Sequence, residues 1–514
     1  MHTCDAIERY ARLKPDATAL VEGETTISWG GLASRVASIG GALTALGIEP
    51  EDRVALLAEN SGTWIEASYA VQWIGAVVVP INMRWTPAEI AFAIEDCGPM
   101  AAVVDAPGYR LLSQIPIDNR RGMQIIHTNA EGASDEDLNL AAARRGPSIA
   151  RRPVPGDATA SIFYTGGTTG RSKGVLLTHD NHVAHSVALA TETGLAQGSR
   201  HLHAAPMFHI ADSLFIHLIS LVGGVHVVIP RFEPKACAAA IERHQVDQTI
   251  LVPTMIQMMM ATETAQAGLA GLKKLFYGAS PMPLKLLQHL MEQFPKLELI
   301  QLYGQTESSP VLTVLPPQAH RDGGRRVRSA GCALAGTEVK IFDAGDRELG
   351  AGEHGEIVAR GPQVTPGYWN RPKETAEALR GGWLHTGDAG FIDEQGYVYV
   401  TDRIKDMIIS GGENVYSVEV EQVIYGLDGV EQCCVVGVPH ETWGESVHAV
   451  VVPKAGSRLT EESVKAHCAQ FLSDYKRPRS VSFREQPLPV SGAGKILKRD
   501  LRDQLSRGLF RSEP

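Results

Sequence analysis

The chain has 514 residues, a formal net charge of -10, and 44% hydrophobic and 21% charged side chains. That balance belongs to a soluble globular protein of three or four folding units, at roughly 100–200 residues each. It excludes a polybasic nucleic-acid binder, and the scattered odd set of seven cysteines, with no C-x-x-C pair, excludes a disulfide framework.

The N-terminal MHTCDAIERYARLKPD carries charges where a signal peptide needs an apolar core, so a cytoplasmic protein is expected. Residues 31–47 have helical apolar spacing and end on Gly47. The run 53-RVALLA-58 reads as a buried parallel strand, and Asn60 and Ser61 offer the next helix a cap. The stretch 68–81 is too short and too polar to span a bilayer, and 76-AVVVPI-81 is a further strand. In 86-TPAE-89 a cap, a first-turn proline and a glutamate three residues after the cap predict a helix start, leading to the strand 101-AAVVD-105.

Such βα units imply mainly parallel sheets covered by helices. Residues 128–157 read as a polar connection. A second βα series follows, with strands near 225–230 and 249–254. From about Gly331 short β runs, 337-TEVKIFD-343 and 355-GEIVARG-361, alternate with turns and predict an antiparallel, barrel-like unit. After residue 401 the chain becomes a compact α+β piece with the strand 433-CCVVGVP-439. Eighteen histidines concentrate around 201-HLHAAPMFH-209, but with no H-E-x-x-H they read as pocket or core residues rather than a metal cluster.

The loop 164-YTGGTTGRSKG-174 gathers what a phosphate site needs. Gly166, Gly167, Gly170 and Gly174 let backbone amides approach an anion, Thr165, Thr168 and Thr169 add hydroxyls, and Lys173 adds charge. Its spacing is neither that of a Walker A loop nor that of a Rossmann turn. Downstream stand 206-PMFHIAD-212, 303-YGQTE-307, 383-WLHTGD-388, 402-DRIKDMIISGGENVYSVEVE-421 and 487-PLPVSGAGKILKRDLR-502. In this order and spacing the set resembles the adenylate-forming (AMP-binding) superfamily, in its acyl-CoA synthetase branch, over nearly the whole chain.

The resemblance implies a large N-terminal domain, 1–401, of helix-covered sheets plus the barrel-like part. It also implies a small mobile C-terminal domain, 402–514. It implies activation of a carboxylic acid by ATP with release of pyrophosphate, then transfer of the acyl group to CoA. By resemblance Thr165, Gly166, Gly167, Thr168, Thr169, Gly170 and Lys173 cradle the phosphates, and Gly278, Ala279, Tyr303, Gly304 and Thr306 surround the adenylate. Glu307 holds Mg²⁺, Asp388 takes the ribose hydroxyls, and Arg403 assists. Lys495, after 492-GAG-494, is the adenylation catalyst; Lys405 is the hinge; Gly411 and Gly412 pass the pantetheine arm. His209 faces the carboxylate pocket, where amino-acid-activating relatives carry Asp, so amino-acid activation is not expected. The chain closes soon after Lys495, so free CoA rather than a fused carrier is the expected acceptor.

A medium- to long-chain fatty acid is the first expectation for the substrate, with a cinnamate- or benzoate-type aryl acid as the alternative. Met255, Met258, Met259 and Met260 can pack an apolar tail, or sit in the core as at least two of them should. An adenylate-using oxygenase or a non-catalytic adenylate binder ranks lower, since Glu307, Asp388 and Lys495 are all present. The expected partners are the small acid and CoA, in a monomer or homodimer without nucleic acid or membrane anchor.

Overall fold

The computed structural model describes residues 1–116, 122–129, 138–165, 172–410, 413–490 and 496–507. The local signals act where the sequence places them. Ser28 caps the helix Trp29–Ala45, accepting from the Gly31 amide, and Gly47 beyond its end takes φ 81°. Ser61 caps Gly62–Trp73. Thr86 and Glu89 close a reciprocal capping box on Pro87–Cys97, with Pro87 in the first turn. Each such cap stabilises its helix by about 1 kcal/mol.

The helices cover two large sheets. One has eight strands among the described residues. Its parallel part runs through Thr159–Thr165, Val77–Pro80, Arg53–Leu57, Ala101–Val104, Gln124–His127 and Leu138–Asn139. Lys173–Thr178 and Gly367–Tyr368 extend it antiparallel at one edge. The other sheet has nine strands, with a parallel centre formed by Thr18–Glu22, Val225–Val228, Arg200–His203, Gln248–Leu251, Lys274–Gly278 and Glu298–Tyr303. Helices Trp29–Ala45 and Gly62–Trp73 pack in the main core, where Trp29, Trp64 and Tyr69 are fully buried. Burying side chains of this size contributes about 1.5–3 kcal/mol each.

Two expectations need correction. The stretch 128–157 is more than a connection. It holds the strand Leu138–Asn139 and the short helix Leu140–Ala143, and its later part lies on the first helices. Ile149 accepts from the Trp73 indole at 3.0 Å, and Arg144 pairs at 2.6 Å with Glu66, a buried carboxylate also held by Arg35. Polar composition hides this because, among its described residues, only Leu138, Leu140, Ala143 and Ile149 join the apolar core, and backbone bonds and ion pairs fasten the rest. The unit expected to be barrel-like is an open sheet in the order Glu338–Phe342, Gly355–Arg360, Leu384–Ile392, Val398–Arg403. It is antiparallel as the turns require, but four strands are too few to close a barrel around side chains.

The C-terminal domain has its own core around Val420, Val435, Ala449, Val464 and Phe483. The long hairpin Val430–His440/Gly444–Pro453 forms its centre, with Ser480–Phe483 added in parallel. Among the described residues, no helix is long and apolar enough to cross a membrane.

Candidate active site

The carboxyl ends of parallel strands are where open α/β sheets bind ligands, and Gly278, Ala279, Tyr303 and Gly304 stand at two such ends. Gly278 ends its strand beside Leu302; a Cβ at Gly278 would lie 2.2 Å from the Leu302 carbonyl, so only glycine fits. Ala279 follows with φ 64°, a left-handed conformation that costs an alanine of order 1 kcal/mol and turns the chain sharply off the strand. Gly304 is equally confined, its Cβ position 2.2 Å from the Pro310 carbonyl.

Tyr303 ends the neighbouring strand. Its hydroxyl donates to Asp388 Oδ2 at 2.9 Å, while Arg403 Nε reaches Asp388 Oδ1 at 2.9 Å. Asp388 and Arg403 face each other across two antiparallel strands, so backbone register alone brings them together. Burial and the nearby Asp388 push the Tyr303 phenol well above its ordinary pKa, keeping it a donor. Asp388 raises the Arg403 guanidinium in turn. The buried carboxylate is thus oriented from both sides.

A second group forms around Glu307, which lies in the short 3-10 turn Thr306–Ser308. Its Oε1 accepts from the Tyr368 hydroxyl at 2.8 Å, and its carbonyl accepts from the Thr365 amide at 2.8 Å. Tyr368 pairs in register with Val175, and the Lys173 ammonium stands 4.9 Å from the Tyr368 ring centre. Thr165 is the strand partner of Lys173, and its hydroxyl donates to the Lys173 carbonyl at 3.4 Å. The ends of the glycine-rich stretch, Thr165 and Lys173, are therefore fixed beside Glu307. Gly166, Gly167, Thr168, Thr169 and Gly170 lie outside the described residues, as do Gly411, Gly412 and Lys495.

Glu307 suits the metal expected there, since a carboxylate is the oxygen donor that a hard divalent cation takes and Tyr368 engages its Oε1.

His209 caps the helix Ile210–Leu221, its Nδ1 accepting from the Ala211 amide at 3.2 Å. An accepting Nδ1 leaves the ring proton on Nε2. Among the four methionines, Met255 and Met259 belong to the core and Met258 is half exposed.

Lys405 stands between two fastened aspartates. Asp402 Oδ2 accepts from the Ser417 amide at 2.5 Å and from its hydroxyl at 2.6 Å. Asp406 pairs with Arg502 at 2.9 Å. Lys498 lies 2.8 Å from Glu421 and also donates to the Ser417 hydroxyl. Burial, with Arg403 adding, lowers the Lys405 ammonium to about 8.

Sequence reasoning missed Tyr368 and the Asp402–Ser417 contact. The glycine-aromatic run 366-PGYW-369 was the available signal for the first; the second is visible only once the chain has folded back.

The model of the AMP-binding enzyme family matches residues 7–369, and that of the family's C-terminal domain matches 419–495. The chain belongs to the AMP-binding enzyme family. By class it is an AMP-forming acyl-CoA ligase. This AMP-binding enzyme is 39% identical over 496 residues to a feruloyl-CoA synthase of Amycolatopsis sp, covering 96% of this chain and 97% of the other. It is 34% identical over 508 residues to a long-chain-fatty-acid–CoA ligase of Mycobacterium tuberculosis, covering 97% and 98%. Among solved structures it superposes on an o-succinylbenzoate CoA synthetase of Bacillus subtilis in complex with ATP and magnesium ion. That match has a TM-score of 0.84 at 28% identity and covers 97% and 99% of the two chains.

In this AMP-binding enzyme, Asp388→Ala is expected to raise the KM for ATP by roughly 10- to 100-fold. The change removes a charged acceptor and leaves Arg403 unpaired, at about 1.5–3 kcal/mol for a hydrogen bond to a charged group. Pyrophosphate exchange at varied ATP checks this, and an unchanged KM would remove Asp388 from the nucleotide site.

Proposed function

We propose that the enzyme activates an aryl carboxylic acid of the hydroxycinnamate type and passes the acyl group to CoA. The supporting observation is the 39% identity to a feruloyl-CoA synthase over nearly the full length of both chains, against 34% to the fatty-acid ligase. A fatty acid is the second reading, supported by that ligase's equally complete alignment.

In the first half-reaction a carboxylate oxygen of the acid bonds to the α-phosphorus of ATP, and the bond from that phosphorus to the bridging oxygen breaks, releasing pyrophosphate. In the second, the CoA thiolate attacks the acyl carbon and AMP leaves. Asp388, oriented by Tyr303 and Arg403, accepts from the ribose hydroxyls. Gly278, Ala279 and Gly304 give the base and sugar close backbone walls, with Tyr303 against the adenine and Thr306 at the phosphates. Lys173 and Thr165 hold one end of the triphosphate, and Glu307 would hold a magnesium ion, which would offset phosphate charge. His209 presents its Nε2 proton toward the acid's carboxylate. Lys495 stabilises charge moving between carboxylate and α-phosphate. The C-terminal domain then turns about Lys405 and brings the Gly411–Gly412 stretch to the adenylate for the thiol.

Pyrophosphate release with ATP, Mg²⁺ and CoA, measured across straight-chain, branched and aryl acids, tests the reading. We expect kcat/KM to peak among 3-aryl-propenoic acids. A peak among saturated acids of eight or more carbons would replace the aryl assignment with the second reading.

A further inference from the structure

We propose that a buried four-member hydrogen-bond chain, Asp212–His203–His226–Ser220, is a positioning device for His209 that sets how the acid's carboxylate is held. The proposal rests on the reading above that places His209 at the acid pocket.

The chain starts and ends on one helix. Asp212 is in the first turn of Ile210–Leu221 and Ser220 is in its last. Between them lie two strand residues, His203 at the end of Arg200–His203 and His226 in Val225–Val228. His203 Nδ1 is 3.0 Å from Asp212 Oδ1, His203 Nε2 is 3.0 Å from His226 Nδ1, and Ser220 Oγ is 3.0 Å from His226 Nε2. His203, Asp212, Ser220 and His226 have no exposed surface.

The proton order follows from one end. An ionised Asp212 only accepts, so His203 donates from Nδ1 and accepts at Nε2. His226 then donates from its own Nδ1, and the Ser220 hydroxyl donates to His226 Nε2. Both imidazoles are neutral in this order. Burial, with His203 adding, holds His226 well below its ordinary pKa, and neutrality is what that favours. Burial acts to raise Asp212, but His203 and His201 outweigh it and hold the carboxyl below its ordinary value.

The geometry ties a helix at both ends to two adjacent strands. Eight residues separate the ties, about 12 Å along the axis. Apolar packing alone lets a helix slide or roll by fractions of an ångström, whereas directional bonds at both ends do not. His209 is the cap of this same helix, and its carbonyl accepts from the Asp212 and Ser213 amides at 3.2 and 3.1 Å. Whatever holds Asp212 therefore holds the turn that aims the His209 ring.

His201 and His203 with Asp212 also bring three ligand atoms within 4.8 Å of one another. Both nitrogens of His203 and Asp212 Oδ1 already serve the hydrogen-bond chain, while the His201 ring and Asp212 Oδ2 lie outside it, buried without a hydrogen-bond partner among the described residues.

The test uses the far end. Ser220→Ala leaves His209 and Asp212 intact, yet kcat/KM for the acid in pyrophosphate exchange is expected to fall on the order of tenfold, with the KM for ATP unchanged. Misplacement of reacting groups by less than an ångström has effects of this size. In a His209→Ala background the same change should have no further effect, because its target is gone. Asp212→Asn, which keeps an acceptor oxygen, should lose less than Asp212→Ala. If Ser220→Ala misfolds, Ser220→Cys carries the comparison.

Wild-type acid kinetics in Ser220→Ala beside a lowered Tm would overturn the proposal, as would an equal loss in the His209→Ala background. Stoichiometric zinc in the purified wild-type protein, lost in His201→Ala, would overturn it too, since a metal would then fix the helix. Failure of the wild type to activate any carboxylic acid would instead overturn the proposed function.

Discussion

Lys495→Ala lowers acid-dependent pyrophosphate exchange by roughly 10²- to 10³-fold while leaving thioester formation from supplied acyl-adenylate and CoA within about twofold of wild type. The first figure is what loss of one charge-stabilising donor at a developing charge usually costs. The division follows from the proposed turn about Lys405, which brings one face of the C-terminal domain to the nucleotide for the first half-reaction and another for the second. The residues on either side of 491–495, Val490 and Ile496, are bridged to each other. Exchange and single-turnover thioester assays, run on the same preparation, read the two halves. Equal loss in both would show that Lys495 serves binding common to the two steps.

The second large effect is on stability. His179, His182 and His185 share the helix His179–Thr193, all buried. His2 stacks on His179 at 3.9 Å and His217 approaches His182 at 4.7 Å. The hydrogen-bond partners of His179 and His182 are the hydroxyls of Thr3 and Ser161, not carboxylates. Burial, with the His182 imidazole adding for His185, lowers His182 to about 4 and His185 to about 3.

A histidine whose folded pKa is depressed binds protons first in the unfolded chain. Its contribution is fully present above pH 6.5, its ordinary value, and is lost as pH falls toward the folded pKa. Each such group removes about 1.4 kcal/mol per pH unit in that window, so pH 4.5 removes nearly 3 kcal/mol per histidine. Several together approach the whole stability of a domain, about 5–15 kcal/mol. Scanning calorimetry from pH 7.5 to 4.5 should show Tm falling steeply below pH 6.5, with a shallower fall in His185→Phe. A flat Tm down to pH 5 in the wild type would mean that these histidines find protons or partners in the folded state.

Much of the fold was legible because its signals are local. The Thr86–Glu89 capping box, the Ser61 cap and the short apolar strands each declare themselves within a few residues. The residues proposed for the adenylate site stood out for a different reason: 303-YGQTE-307 and 383-WLHTGD-388 are contiguous motifs. What escaped was pairing between distant stretches. Tyr368 meets Glu307 only because Gly367–Tyr368 adds an edge to the strand that starts at Lys173. Asp402 meets Ser417 only once the C-terminal domain has docked, and the strap after residue 143 is held by the Trp73 indole, which no periodicity announces. The histidines of 201-HLHAAPMFH-209 were legible as residues of core or pocket, while the link from His203 to His226 depends on the register of two strands.

The Asp402 clamp gives the proposed turn a timing. Asp402 is paired into the antiparallel sheet through Ala389, on the N-terminal side of Lys405, while Ser417 opens the first helix on the other side. Any turn about Lys405 must therefore let go of two hydrogen bonds to a buried carboxylate, each worth about 1.5–3 kcal/mol. A domain fastened in this way rests, releases and rests again. Its dwell in each position lengthens about tenfold for every 1.4 kcal/mol that the release requires, so in the proposed cycle the amide and hydroxyl of Ser417 together set how long the acyl-adenylate waits for its thiol.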